Sequence, residues 1–376
     1  MKTNTHFTTV RVPLGKRSYP IYLGTSILPL LGSLFQRHRM PRTAVIITDR
    51  NVARLYLRRV KESLAAWGFN VRSIIIPAGE EQKNLHRADA IYSDLLRWKI
   101  ERQSTVVALG GGVVGDLAGF IASTYQRGVR FVQVPTTLLA QVDSSVGGKV
   151  GVNHTLGKNM VGTFYQPDFV VSDIATLQSL PGRELVCGLG EVLKYGIIMD
   201  RKFFAYTVKH IDTIISKNNA NLIRIVGECC RMKADIVSRD EREKNLRAIL
   251  NFGHTVGHAL EHAGNYRLLK HGEAILLGMV AETFTALRLG LITPMAAGRI
   301  ENAVLSIPLP PLHGVKFSAS KLLSTMRVDK KVFDGKIRLV LPTSIGKATL
   351  PMPVDEDNIL DSLSYLQGFL ASRKLL

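Results

Sequence analysis

The apolar positions in the first half of the chain fall into short β-branched runs separated by longer stretches of helical period. The runs occupy residues 44–48, 71–76, 105–109, 131–134 and 169–171, and helical patterns fill 51–67, 85–98, 114–125 and 138–145 between them. Short apolar runs alternating with helices predict βαβ units and a mostly parallel sheet. Two further extended segments, 8–12 and 21–23, predict a hairpin at its edge.

After Leu180-Pro181-Gly182 the period becomes helical almost without interruption, from residue 183 to about 288, with stops at Asp200 and Gly264. A short extended pair, 337–341 and 348–350, precedes a last helix near 356–371. A chain of 376 residues exceeds one ordinary core, so the change of texture is taken as a domain boundary: 1–180 α/β, 181–376 mainly α-helical.

Composition narrows the class. With 46% hydrophobic and 21% charged residues the chain is globular, neither disordered nor fibrous. The most apolar stretch, Ser104–Tyr125, contains five glycines and an aspartate, which suits a strand, loop and helix better than a membrane span. The opening Met1–Phe7 lacks the apolar core of a signal peptide, and Cys187, Cys229 and Cys230 have no disulfide or metal spacing, so a cytoplasmic location is expected. The net charge of +19 comes from scattered cations such as Arg37, Arg39, Arg42, Arg58, Arg59 and Lys61. Such charge suits anionic ligands or a generally solvated surface alike; with no aromatic interleaving or nucleic-acid motif beside it, specific nucleic-acid binding is not expected.

Candidate chemistry begins at Gly110-Gly111-Gly112-Val113-Val114-Gly115-Asp116, between a buried-type strand and a helix. Glycines there let backbone approach a pyrophosphate, and a helix N-terminus offers free N–H groups. The dehydrogenase spacing G-x-G-x-x-G is absent. Thr136 and Thr137, Asp49 and Asn51, and Glu80 and Lys83 also follow strands, where hydroxyls and carboxylates meet ribose or phosphate. A second glycine-rich run holds Asp143, Lys149, Lys158 and Asn159, donors and acceptors suited to a carboxylate or phosphate; Arg127 is either a further anion clamp or a simple surface residue. Glu191 and Lys194 share one helix face. His254, His258 and His262 form one helical stripe, and His271 opens the next helix. One glutamate with two histidines is a common catalytic metal set, and spacing alone does not choose among the four.

Together Gly110–Asp116, Tyr125–Gln166, Glu191–Lys194, Leu250–His258 and His271-Gly272-Glu273-Ala274 resemble the 3-dehydroquinate synthase family, in consistent order over about residues 44 to 345. The resemblance implies a Rossmann-like NAD-binding domain followed by a helical metal-binding domain, in a homodimer with its site in a cleft. It implies zinc or cobalt on Glu191, His254 and His271, leaving His258 catalytic or substrate-orienting and His262 structural. Lys149, Lys158, Asn159, Lys194, Lys233, Arg247 and Asn251 match positions that hold the substrate, Asp143 one near its hydroxyls, and Arg127 one that reaches the neighbouring subunit. Gly111, Gly112, Val113, Val114, Gly115, Asp116, Glu80, Lys83, Thr136, Thr137 and the segment Thr176, Leu177, Gln178, Ser179 match NAD contacts. Lys330 or Lys331 matches a phosphate contact, and Ala78 departs from an aspartate frequent before Gly-Glu.

The implied reaction converts 3-deoxy-D-arabino-heptulosonate 7-phosphate into 3-dehydroquinate by transient oxidation, phosphate β-elimination, reduction, ring opening and aldol closure. Related cyclases that make valiolone or deoxy-inosose act on substrates without a carboxylate, so Lys149, Lys233 and Arg247 favour the dehydroquinate reaction. A metal-dependent polyol dehydrogenase would not need so many phosphate-binding cations.

Overall fold

The computed structural model describes residues 7–264, 266, 268–311, 318–327, 332–333 and 336–372. Lys330 and Lys331 lie outside the described residues. The chain forms two compact units, Met1–Leu180 with Asn219–Ser238, and Pro181–Asn218 with Arg239–Leu376.

The first unit is built on seven strands: β1 (Phe7–Val12), β2 (Tyr19–Gly24), β3 (Thr43–Asp49), β4 (Asn70–Ile76), β5 (Ser104–Gly110), β6 (Arg130–Pro135) and, after a separate hairpin, a strand at Phe169–Asp173. With that hairpin as β7 (Lys149–His154) and β8 (Gly157–Phe164), the last sheet strand is β9, and the sheet order is β1-β2-β9-β6-β5-β3-β4. All neighbours run parallel except the edge pair β1 and β2. Central β5 is buried along its whole length, as a strand covered on both faces must be. The two-residue period of a strand sends Val45, Ile47, Val106 and Ala108 to one face and Ala44, Ile46, Val107 and Leu109 to the other. Helices Leu85–Arg97 and Gly112–Thr124 cover the first face; Leu31–Arg37 and Arg58–Ala65 cover the second.

Two features differ from the apolar pattern. The second glycine-rich run divides between two elements: Asp143 lies on the short helix Ala140–Ser144, whereas Lys149, Lys158 and Asn159 lie on the β7–β8 hairpin, in which Val150 and Val152 are buried beside the Gly112–Thr124 helix. Glycines and lysines interrupt its β-branched alternation and conceal it. The helix Asn219–Arg239, of the same texture as the helical half, packs in the first unit over all but its last residue: Gly227 lies against Leu23, and the Cys230 thiol donates to the Gln141 carbonyl.

The second unit centres on Gly182–Met199, buried from Leu185 to Ile198, with helix His271–Arg288 against it and helix His254–Ala263 against His271–Arg288 in turn. Short strands at Lys336–Leu339, Val332–Phe333 and Met352–Pro353 form one small sheet, Pro342–Ser344 and Lys347–Ala348 another, before the last helix, Glu356–Ser372. Among the described residues, no helix is long and apolar enough to cross a membrane.

Candidate functional site

In the second unit, glycines bring three helices together closely enough for their side chains to share one point. Gly190 and Gly272 meet backbone to backbone: a Cβ on Gly272 would stand 1.8 Å from the Cys187 carbonyl oxygen, and one on Gly190 would stand 2.5 Å from that of Gly272. Glu191 follows the first glycine and His271 precedes the second. The same device acts at Gly278, whose Cβ would be 2.0 Å from the Gly253 carbonyl oxygen, fixing the start of the helix that carries His254. Glu282, fully buried, takes the place of a capping side chain there, accepting from Gly253 N (2.6 Å) and Val256 N (3.4 Å).

The result is a cluster of Glu191, His254 and His271. Glu191 Oε1 lies 3.5 Å from His254 Nε2 and 3.7 Å from His271 Nε2. Two donors bonded to one zinc ion at about 2.0–2.1 Å and tetrahedral angles stand about 3.3 Å apart, close to these spacings. Glu191 is 1% exposed and ion-paired with Lys194, yet neither of its oxygens has a hydrogen-bond partner of good geometry among the described residues. An ionised carboxylate buried in that way is costly unless a cation completes it, so the donor set fits a divalent metal.

Both imidazoles are held by their second nitrogen. His254 Nδ1 is 3.1 Å from the Phe252 carbonyl oxygen, and His271 Nδ1 is 3.0 Å from Glu261 Oε2. Burial disfavours the charged form of His271, but the hydrogen bond and charge of Glu261, with Glu191, outweigh it and raise its pKa above the ordinary value. His258 joins the cluster, its ring 5.5 Å from His254 and 5.9 Å from His271, whereas exposed His262 packs edge-on against Tyr266. Nearby thiols are quiet: burial pushes Cys187 up to about 12. Elsewhere in this unit Arg247, 2% exposed, donates to the Glu241 carbonyl (2.6 Å), and Asn251 donates to Glu243 (3.2 Å).

In the first unit the Gly112–Thr124 helix has Gly111 as its N-cap, which carries no side chain to cap the first N–H groups. By contrast, the helix Leu85–Arg97 is capped by Asn84, whose side chain accepts from Arg87 N (2.8 Å). Thr136 is buried beside this turn with no partner for its hydroxyl among the described residues. An uncapped helix start after a glycine turn fits the pyrophosphate of a dinucleotide. Next to it Lys83, 4% exposed, donates to Asp116 (3.0 Å) and Asn159 (2.6 Å) and lies 3.4 Å from Glu80. Burial works against its charge; Asp116 and Glu80 overcome this and raise its pKa. Burial also raises the pKa of Asp116, which Lys83 offsets only in part.

The remaining sequence candidates have plainer settings. Asp49 caps its own helix, accepting from Asn51 N and Val52 N, and Arg54 donates to Asn51. Thr176 and Ser179 bond to Tyr56, Gln178 donates to Asn219, and Leu177 is core. Lys233 donates to the carboxylate and carbonyl of Asp143, both at 2.7 Å. Lys149 starts β7, Lys158 lies on β8, and Thr137 accepts from Ala140 N. Arg127 stands in an exposed turn with φ of 64°, after Gln126 at 49°. Sequence reading overlooked Glu261 and Glu282; the signal for Glu261 was its place three residues after His258 on the histidine stripe.

Comparison with known proteins agrees with this chemistry. The family model for the 3-dehydroquinate synthase N-terminal region matches residues 73–187, and its C-terminal counterpart matches residues 188–332. A 3-dehydroquinate synthase of Desulforamulus reducens is 47% identical over 95% of this chain and 99% of its own length. One from Pelotomaculum thermopropionicum is 46% identical over 96% and 98%. Among solved structures, a 2-deoxy-scyllo-inosose synthase complexed with carbaglucose-6-phosphate, NAD+ and Co2+ superposes with a TM-score of 0.87 at 27% identity, covering 94% of this chain and 98% of that one. A 2-epi-5-epi-valiolone synthase from Streptomyces hygroscopicus with NAD+ and Zn2+ gives 0.85 at 26%, covering 93% and 97%.

Proposed function

Since the chain belongs to the 3-dehydroquinate synthase family, we propose that its two units divide the work of that reaction, which converts 3-deoxy-D-arabino-heptulosonate 7-phosphate into 3-dehydroquinate and phosphate. The observation that carries this reading is the buried carboxylate of Glu191, facing two imidazoles and lacking hydrogen bonds of good geometry among the described residues. A zinc or cobalt ion held by Glu191, His254 and His271 would supply a positive charge that lowers the pKa of a substrate hydroxyl. NAD, with its pyrophosphate on the helix start from Gly111 to Asp116 near Thr136 and Thr137, would supply a reversible hydride acceptor.

The chain's own side chains do the rest. His258, beside the metal ligands, holds or moves a proton at the substrate hydroxyls. Lys194, Lys233, Arg247, Lys149 and Lys158 supply cations, and Asn159 and Asn251 amides, for a substrate that bears a carboxylate and a phosphate. Asp143 holds Lys233 in place through two contacts of 2.7 Å. The same reading makes the protein a phosphate-eliminating lyase working as a cytoplasmic dimer, with Arg127 serving the neighbouring subunit.

The test follows phosphate release and NADH absorbance together, with substrate in large excess over NAD. Many phosphates per NAD without standing NADH is the expected result. Stoichiometric accumulation of NADH would overturn the reading and favour a polyol dehydrogenase.

A further inference from the structure

We propose that Glu261 is a positioning residue: it aims the His271 imidazole so that Nε2 is presented to the metal, and it does so through the opposite ring nitrogen. The proposal rests on the metal assignment above. Two facts of geometry carry it. Glu261 is 5% exposed, with Oε2 3.0 Å from His271 Nδ1, so its carboxylate is withdrawn from water and meets this nitrogen. The other nitrogen, Nε2, is the one that faces Glu191, at 3.7 Å.

An imidazole that accepts a metal through one nitrogen carries its proton on the other, and that N–H needs an acceptor when buried. His254 meets the need with the Phe252 carbonyl at 3.1 Å, from its own chain segment two residues back. His271 is the first residue of its helix, so no earlier turn of that helix stands behind its ring. The acceptor comes instead from the His254–Ala263 helix, and Glu261 thereby ties the rotamer of one ligand to the helix that carries the other. An acceptor of this kind fixes tautomer and ring orientation, and its removal typically weakens metal binding by roughly 10–100-fold.

His258, Glu261 and His271 also present donor atoms within 4.8 Å of one another. That arrangement offers a second possibility, in which Glu261 is itself a ligand. The contact on Nδ1, away from Glu191, argues for the orienting role, and metal stoichiometry decides between them.

The experiment measures Co2+ binding to the metal-free full-length protein by chelator competition, without NAD or substrate, for wild type, Glu261→Gln and Glu261→Ala. It records the cobalt absorption spectrum and the melting temperature of each metal-free protein. Glu261→Ala should bind Co2+ roughly 10–100-fold more weakly, with an altered spectrum. Glu261→Gln, whose amide oxygen still accepts from Nδ1, should bind nearer to wild type. Unchanged affinity and spectrum in Glu261→Ala, with only a lower melting temperature, would reduce Glu261 to a core residue and overturn the proposal. So would two cobalt ions per wild-type chain with one lost in Glu261→Ala, since Glu261 would then be a ligand. Because no turnover is measured, failure here leaves the phosphate-release test of the reaction untouched.

Discussion

In the first unit, Lys83 has three N–H groups and three oxygen acceptors around them, from Asp116, Asn159 and Glu80. In the second, Glu191 has, among the described residues, the ion-pair partner Lys194, two imidazole nitrogens beyond 3.4 Å, and no hydrogen bond of good geometry. The chain's own oxygens satisfy Lys83. The Glu191 carboxylate is left without hydrogen bonds of good geometry among the described residues, and what holds it in that condition is the backbone packing beneath it. Of the two, the incomplete group is the one to read as the centre of chemistry, because the rest of the fold must offset its cost.

The sharpest way to break that contrast is to push the helices apart. Gly272→Ala places a methyl 1.8 Å from the Cys187 carbonyl oxygen, a backbone atom that no rotamer change can move. A loss of about 3 kcal/mol or more is expected, at the upper end for overpacking, with weaker metal binding. Gly298→Ala, in the helix Pro294–Leu305 with nothing within 4 Å of the added carbon, is the control and should be neutral or slightly stabilising. Thermal unfolding of the two variants checks this; equal melting temperatures would show that the glycine crossing does not set the spacing of the ligands.

The second test compares the charges themselves. Lys83→Met strands Asp116 beside a buried apolar group and should destabilise the protein by about 2 kcal/mol at pH 7, less than for a fully buried pair because Asp116 keeps partial contact with water. Replacing both Glu191 and Lys194, as Glu191→Leu with Lys194→Met, should leave stability of the metal-free protein unchanged or raise it by about 1–4 kcal/mol, while abolishing metal binding. Urea unfolding and cobalt titration measure both. A large loss of stability in the double variant would mean that Glu191 serves the fold.

Sequence periodicity was enough to read the parallel sheet, because each buried strand is a short β-branched run between amphipathic helices. It also brought out Glu191 and the histidine stripe, whose residue types are rare in apolar surroundings. The β7–β8 hairpin was not legible, since glycine and lysine at alternate places hide the two buried valines that define it. The affiliation of the Asn219–Arg239 helix was not either: an amphipathic face states that it packs, and not upon what. Glu261 and Glu282 look like any helical glutamates in one dimension. Only the fold reveals that one meets the far nitrogen of His271 and the other the open N–H groups before His254.

Asp240 is an intermediate case between the two regions, a partly exposed carboxylate whose bonds are all made locally. It accepts from Lys244 N (2.9 Å), Asn245 N (2.8 Å) and Arg247 N (2.9 Å), closing the turn that leads to Arg247. Its small burial works to raise the pKa, but the three N–H donors outweigh it and hold the carboxyl below its ordinary value. A carboxyl whose pKa is depressed on folding adds stability above its unfolded value of about 3.9, and that contribution fades as pH falls through the folded value. Asp240→Asn should therefore cost less than about 1 kcal/mol at pH 7, as suits a group near water, and the difference from wild type should shrink toward pH 3.5. Because the turn sets the backbone of Arg247, a modest rise in KM with little change in kcat is expected alongside. Urea unfolding at the two pH values is the measurement. A difference of the same size at both would mean that the charge of Asp240 does not hold the turn, and that hydrogen bonding a neutral amide can supply does so instead.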